Sequence, residues 1–353
     1  MDKTRVSRRA VLGVVSAAAV GLAVSDATAV PAASPAAAER PRLPMRILLR
    51  AGLSPEFLDQ IRAIAPDVTV SRDVPLADAD VVLGSVSREE VATAKNLRWV
   101  QCPSAGVEHS PLEEYIARDI ILTNAQGCYA PEIAEHAFGL LFALTRGIGS
   151  QTKQMRDKKW GSDTKPVELR GMTMGIVGLG GIGREVARRA KAMDLKVIAV
   201  DAEPMFAERF AMVDEVELID SGLKSLLERS DVVVLCCPST PKSRGMIGAE
   251  QFSQMKQGAY LVNVARGKLV KTDAMLDALR SGKIAGTGLD VTDPEPLPGD
   301  HPLWEQPNVI VTSHIAGQSQ FSWLRVQRVF AENAQRFAQG LPMLNVVDKR
   351  KGY

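Results

Sequence analysis

From Met45 onward, short apolar runs alternate with amphipathic stretches. Met45–Ala51 (MRILLRA) reads as a buried strand. Ser54-Pro55-Glu56 then supplies a helix cap, a proline at the first helical position and an acidic first turn. The helix it opens has Phe57, Ile61 and Ile64 on one face. Strands are predicted at Val68–Ser71, Asp80–Leu83, Trp99–Cys102 and Ile120–Thr123, with helices near 88–96 and 111–118. Pro131–Arg146 (PEIAEHAFGLLFALTR) predicts a long, largely buried helix, and the polar stretch 150–170 follows it. A second series of strands is predicted at 173–178, 196–201, 231–236, 259–264, 285–291 and 308–313. Helices at 182–193, 222–229, 249–256 and 273–281 separate them, and a last helix spans about 319–339. This alternation predicts an α/β protein with parallel sheets covered on both faces. The expected organisation is one domain over 45–130, a second over 131–316, and a C-terminal part, 317–353, returning to the first.

Residues 1–29 break the pattern. They contain Lys3, Arg5, Arg8 and Arg9 against Asp2 and Asp26, and so account for the whole formal charge of +2, leaving 39 basic and 39 acidic residues. A net-neutral remainder gives no general electrostatic reason to expect nucleic acid or an anionic membrane as a partner. Ala10–Val24 is apolar but shorter than the roughly 20 residues of a spanning helix. With Ala27-Thr28-Ala29 behind it, the segment reads as a secretory signal, a membrane anchor or a disordered leader being the alternatives. Ser7-Arg8-Arg9-Ala10-Val11-Leu12 resembles the twin-arginine motif that exports folded bacterial proteins. Residues 30–44, rich in Ala and Pro, are expected to be a flexible linker. The four cysteines show no bridging framework, and with four histidines there is no zinc-type spacing, so no metal is expected.

Gly178-Leu179-Gly180-Gly181-Ile182-Gly183 fits G-x-G-x-x-G in its full context, after a predicted strand (TMGIVG) and before a helix (REVARRAKAM). The next strand ends in Asp201, 18 residues past Gly183. Gly178 permits the tight turn, Gly180 and Gly181 open the backbone to a pyrophosphate, and Gly183 lets helix and sheet approach. Asp201 can accept bonds from both ribose hydroxyls and repels a 2′-phosphate, which favours NAD over NADP. Two Rossmann-like/flavodoxin-like parallel-sheet domains with an interdomain cleft are therefore expected, the second having the order of a dinucleotide-binding domain.

Further motifs stand in order along the chain: Ser104-Ala105-Gly106-Val107, Ala134-Glu135-His136, Asn263-Val264-Ala265-Arg266-Gly267, Leu289-Asp290-Val291, Glu295-Pro296-Leu297-Pro298 and Ser313-His314-Ile315-Ala316-Gly317. With these, the chain from about residue 45 to its end resembles the D-isomer-specific 2-hydroxyacid dehydrogenases. The closing Asn345-Val346-Val347-Asp348 and Gly352-Tyr353 are similar to the glyoxylate/hydroxypyruvate reductase-like members. The resemblance implies hydride transfer between NAD and C2 of a small 2-oxo or 2-hydroxy acid. Arg266 then binds the substrate carboxylate with its planar fork. His314 is the acid/base, imidazole being a group that exchanges protons near neutral pH. Glu295 orients His314 and stabilises its imidazolium.

The same resemblance implies that the Ala105 and Gly106 amides hold the carboxylate and that Asp290 faces the nicotinamide amide. It sets Ile182 against the cofactor through its backbone, Pro238 and Thr240 beside the adenosine ribose, and Ile133 against the nicotinamide ring. It implies a homodimer formed through the region around 125–170. The chain departs from the family at Ser313, where proline usually precedes the histidine. Cys102 and Cys128 are expected near the substrate loops, as packing residues or as oxidation-sensitive thiols. Glu295 argues against a formate dehydrogenase, which has glutamine there. A phosphite dehydrogenase and a cofactor-sensing binding protein, like the family's corepressors, share the arginine, glutamate and histidine.

Overall fold

A computed structural model describes residues 5–7, 44–161, 164–203 and 212–353. Apart from Arg5–Ser7 and Pro44, the expected signal segment 1–29 and linker 30–44 lie outside the described residues. The described residues form two compact units: one runs up to Tyr129 and resumes at Ser319–Tyr353, and the other is Ala130–Gln318 with Arg5–Ser7.

In the first unit, five parallel strands lie in the order Val68–Ser71, Met45–Leu49, Val81–Leu83, Trp99–Gln101, Ile121–Thr123. Numbered along the chain this is 2-1-3-4-5, the flavodoxin-like order. Val81–Leu83 is buried throughout, as the central strand of a two-faced parallel sheet must be. One face is covered by the helix Ser322–Gln339, which turns off at Gly340 in the left-handed conformation favoured after a helix end. Its Phe330 and Phe337 pack on the buried Trp99 ring with centroids 5.4 and 5.3 Å away. Trp99 Nε1 donates to Thr123 Oγ1 (2.7 Å), whose hydroxyl donates to Gln101 Oε1 (2.8 Å), so the polar atoms inside this core are satisfied.

In the second unit, seven parallel strands lie in the order Glu215–Leu218, Lys196–Asp201, Thr173–Val177, Val232–Leu235, Ala259–Asn263, Ile284–Leu289, Val309–Val311, with Arg5–Ser7 antiparallel on the outer edge. The order 3-2-1-4-5-6-7 reverses beside Thr173–Val177, and ligands of such sheets bind at that switch point, outside the carboxyl ends of the strands. The helix Ala130–Thr145 packs through Ala134, Phe138 and Leu141 into the core that holds Ile176, Val186 and Val234.

Two elements differ from the sequence reading. The polar stretch after residue 147 opens with the helix Ile148–Arg156, none of whose residues is buried. Glu215–Leu218 is an unforeseen strand in which Val216 is buried and Leu218 exposed, so its apolar pattern is only two alternating residues. The strands carrying the candidate site also end earlier than their apolar runs suggest, at Asn263, Leu289 and Val311. The residues that follow are thereby free to turn out of the sheet.

Candidate active site

The glycine loop leaves the strand Thr173–Val177 and enters the helix Gly181–Ala192, with Gly180 extended at the cap. Gly178 has φ +95°, and a Cβ there would stand 2.7 Å from the Cys237 amide nitrogen. At Gly183 a Cβ would overlap the Gly178 carbonyl oxygen. The loop is therefore a bare-backbone cradle at a helix N-terminus, the arrangement that receives a pyrophosphate. Asp201 ends the neighbouring strand; its Oδ2 accepts the Leu179 amide (2.6 Å) and its Oδ1 the Glu203 amide (2.8 Å). That carboxylate thus braces the glycine turn. These residues fit NAD: Gly178 to Gly183 would hold the phosphates and Asp201 the adenosine ribose.

Pro238 and Thr240 sit in the loop after Val232–Leu235, which Ser243 closes by accepting the Thr240 amide (2.8 Å) and donating to the Pro238 carbonyl (2.7 Å). Ile133 and Ile182 are half-buried against one hydrophobic core. Cys236 and Cys237 are free thiols; burial pushes Cys237 up to about 12 and Cys236 higher still, so neither is a reactive thiolate.

Three adjacent strands end in register, with Asn263 beside Leu289 and Leu289 beside Val311, and the chemistry-bearing side chains follow them. After the first, Asn263 is buried and accepts the Ala265 amide (3.1 Å) while donating to the Arg266 carbonyl (2.9 Å). This closed turn sets the backbone of Arg266, whose Nη1 donates to the Ala265 carbonyl (2.7 Å). Gly267 then lies so close to the next loop that a Cβ would overlap the Thr292 carbonyl. The arginine loop is therefore stacked directly on the run leading to Glu295.

After the third strand, His314 Nδ1 meets Glu295 Oε1 at 2.5 Å, both side chains being nearly half exposed. A carboxylate only accepts, so Nδ1 carries the proton and Nε2 is the nitrogen left to exchange one. His314 has φ +55°, a left-handed conformation that costs an ordinary residue roughly 1–3 kcal/mol. Its amide donates to the Asp290 carbonyl (2.8 Å), and the buried Asp290 carboxylate accepts the Ile315 and Ala316 amides (both 3.0 Å) and the Thr312 hydroxyl (2.6 Å).

In the other unit, the loop after Trp99–Gln101 presents Ala105 and Gly106. Four successive carbonyls are occupied: Pro103 by the Tyr129 hydroxyl (2.6 Å), Ser104 by the Ala125 amide (2.9 Å), Ala105 by Asn124 Nδ2 (2.7 Å) and Gly106 by the Ser104 hydroxyl (2.6 Å). Among the described residues the Ala105 and Gly106 amides donate to nothing, which leaves two adjacent N–H groups for an anion. Cys102 and Cys128 are buried free thiols. Sequence reasoning assigned no role to Asn124, His136, Ser243, Asn263 or Thr312. For the two asparagines the available signal was an amide side chain at the end of an apolar strand.

Residues 138–316 match the family model for the D-isomer specific 2-hydroxyacid dehydrogenase NAD-binding domain. The chain is 35% identical over 316 residues to the D-3-phosphoglycerate dehydrogenase of Archaeoglobus fulgidus, covering 86% of this chain and 59% of that longer one. It is 34% identical over 302 residues to the glyoxylate reductase of Thermofilum pendens, covering 82% of this chain and 88% of the relative. Among solved structures it is similar to a D-isomer specific 2-hydroxyacid dehydrogenase of Xanthobacter autotrophicus in complex with NADPH, with TM-score 0.71, 27% identity, and 88% and 99% of the two chains covered. By sequence over most of its length and by the fold of both units, the chain belongs to the D-isomer specific 2-hydroxyacid dehydrogenase family.

Proposed function

We propose that this chain is an NAD(H)-dependent dehydrogenase of the glyoxylate/hydroxypyruvate reductase type, interconverting small 2-oxo acids and D-2-hydroxy acids. The observation that carries the reading is the His314–Glu295 pair, held at a strand end beside the arginine loop. NAD, when bound at the glycine loop, supplies or accepts the hydride. Arg266 takes the substrate carboxylate through two parallel N–H bonds and draws electron density from the adjacent carbonyl. As C2 gains its hydrogen, the carbonyl electron pair moves to oxygen, and His314 Nε2 delivers a proton there. Before that transfer Glu295 faces the charge of the imidazolium, and after it the ring is neutral, keeping its Nδ1 proton donated to Glu295. In the oxidative direction the same nitrogen takes the hydroxyl proton back. The Ala105 and Gly106 amides are proposed as further carboxylate donors.

The test is NADH oxidation with glyoxylate and with hydroxypyruvate, set beside NAD reduction with phosphite. Turnover of the two oxo acids supports the reading, and turnover of phosphite alone overturns it.

Asp201 sets the cofactor preference. Asp201→Ala removes the ribose acceptor and the bond that braces the glycine turn. NADH binding is expected to weaken by roughly 10- to 100-fold, the worth of a charge-assisted bond, with a smaller effect on NADPH. An unchanged NADH-to-NADPH affinity ratio, measured by fluorescence titration, would contradict this role.

A homodimer is proposed through the region around 125–170. Ile148, Met155 and Trp160 in that region are exposed, and Trp160 is fully so; such exposed apolar side chains are a common mark of an interface. Light scattering is expected to give twice the 38.1 kDa chain mass, and the single chain mass would refute the dimer. We also propose export by the twin-arginine route with NAD already bound, since that route carries folded proteins. Failure of cleavage after Ala29, with retention in the cytoplasm, would sink the idea.

A further inference from the structure

His314 has a left-handed backbone with its ring on Glu295, and hydrogen bonds to Asp290 surround that turn. Asp290, 2% exposed, accepts four bonds from the five-residue segment Thr312–Ala316: at its carbonyl from the His314 amide, at Oδ1 from the Ile315 amide and the Thr312 hydroxyl, and at Oδ2 from the Ala316 amide. Thr312 has one hydroxyl proton, and it goes to Oδ1. Its oxygen must then be the acceptor toward His136 Nε2, 2.8 Å away. His136 Nε2 also stands 3.5 Å from Asp290 Oδ1. His136 comes from the helix Ala130–Thr145, and its side chain is mostly buried, 22% exposed. The donors therefore converge on Asp290, from His136 through the Thr312 hydroxyl on one side and from the amides of the turn at His314 on the other.

We infer that His136 and Thr312 are positioning residues for the acid/base: together they hold the Asp290 carboxylate in the orientation that fixes the left-handed turn at His314. The inference rests on the reading of His314 as the proton donor. Neither side chain touches substrate in this account. Ser313 makes the brace more consequential. Its amide donates no hydrogen bond among the described residues, and it lacks the ring that would fix its own backbone. The turn thus depends on the bonds around it.

Thr312→Val keeps the side-chain shape and removes the hydroxyl, and Thr312→Ser keeps the hydroxyl. With the full chain, glyoxylate and NADH, Thr312→Val is expected to lower kcat about tenfold or more while the glyoxylate KM and NADH affinity stay within about threefold. Its deuterium isotope effect on kcat, read with 4-deuterated NADH, is expected to rise as the proton-coupled step becomes limiting. Thr312→Ser should restore both values. His136→Phe leaves the Thr312–Asp290 bond in place and should reproduce the kcat loss and the raised isotope effect. It carries the test alone if Thr312→Val fails to fold. The double variant should be no worse than Thr312→Val, because both act on one chain of bonds. Wild-type kcat and isotope effect in Thr312→Val or in His136→Phe, with His314→Asn inactive, would overturn this inference and leave the acid/base reading standing. Wild-type turnover in His314→Asn would overturn both.

Discussion

Replacement of His314 by asparagine is expected to lower kcat by roughly 10²- to 10⁴-fold, the range lost when a positioned general acid is removed, while NADH binding is retained. Asparagine is the informative choice because it tolerates positive φ far better than most residues. At +55° it can keep the turn that His314 occupies. What disappears is the ring nitrogen that exchanges a proton, so the loss reports chemistry rather than a collapsed loop. His314→Ala removes the ring and also the tolerance for that backbone, and should lose at least as much. Glu295→Gln is milder. Its amide oxygen can still accept from Nδ1, which keeps the ring oriented, but the negative charge facing the imidazolium is gone. A loss on the order of tenfold in kcat is expected there, about the difference between a charged and a neutral hydrogen bond. Steady-state kinetics with glyoxylate, together with NADH titration of each variant, separates these effects. Equal turnover in the wild type and in His314→Asn would remove histidine from the reaction.

Gly267→Ala is expected to be the most damaging single-methyl change in the second unit. The added carbon would overlap the Thr292 carbonyl and crowd the Asp293 amide nitrogen at 2.7 Å. Both neighbours are backbone and cannot swing aside as a flexible side-chain tip would. Overpacking of this kind costs roughly 1–3 kcal/mol, or several degrees in the melting temperature of a unit this size, at about 2–4 °C per kcal/mol. The kinetic effect should exceed the thermal one. The arginine loop and the run to Glu295 can separate only by moving Arg266, Glu295 or both, and a misplacement near 1 Å costs about 10²-fold. kcat/KM for glyoxylate is therefore expected to fall by about that factor in a protein that is still folded at 25 °C. A variant with wild-type kinetics would show that the two loops need not touch.

The legible parts of the molecule were those whose physics is local. The glycine turn, its following helix and Asp201 lie within 24 residues, and each glycine answers a steric demand visible in the spacing. The strand runs were legible because buried parallel strands are continuously apolar. Their ends were not, because Thr312 and Ser313 continue the apparent strand while hydrogen bonds to Asp290 pull the backbone into a turn. Bonds between residues far apart in sequence left no trace: His136 and Thr312 are 176 positions apart, and Asn124 reaches back 19 residues to Ala105. The strand Glu215–Leu218 is illegible for a different reason, since Val216 and Leu218 are the only two apolar residues of its alternation.

The proposed reaction passes hydrogen directly from the nicotinamide to C2 of a 2-oxo acid held by Arg266. It is tested most directly with NADH doubly deuterated at C4, glyoxylate as acceptor, and mass spectrometry of the product. One deuterium at C2 of glycolate per NADH consumed is the predicted result, with Arg266→Ala slowing its appearance by roughly 10²- to 10³-fold, as loss of a transition-state donor does. Glycolate formed without deuterium, or formed at an equal rate by Arg266→Ala, would contradict the account.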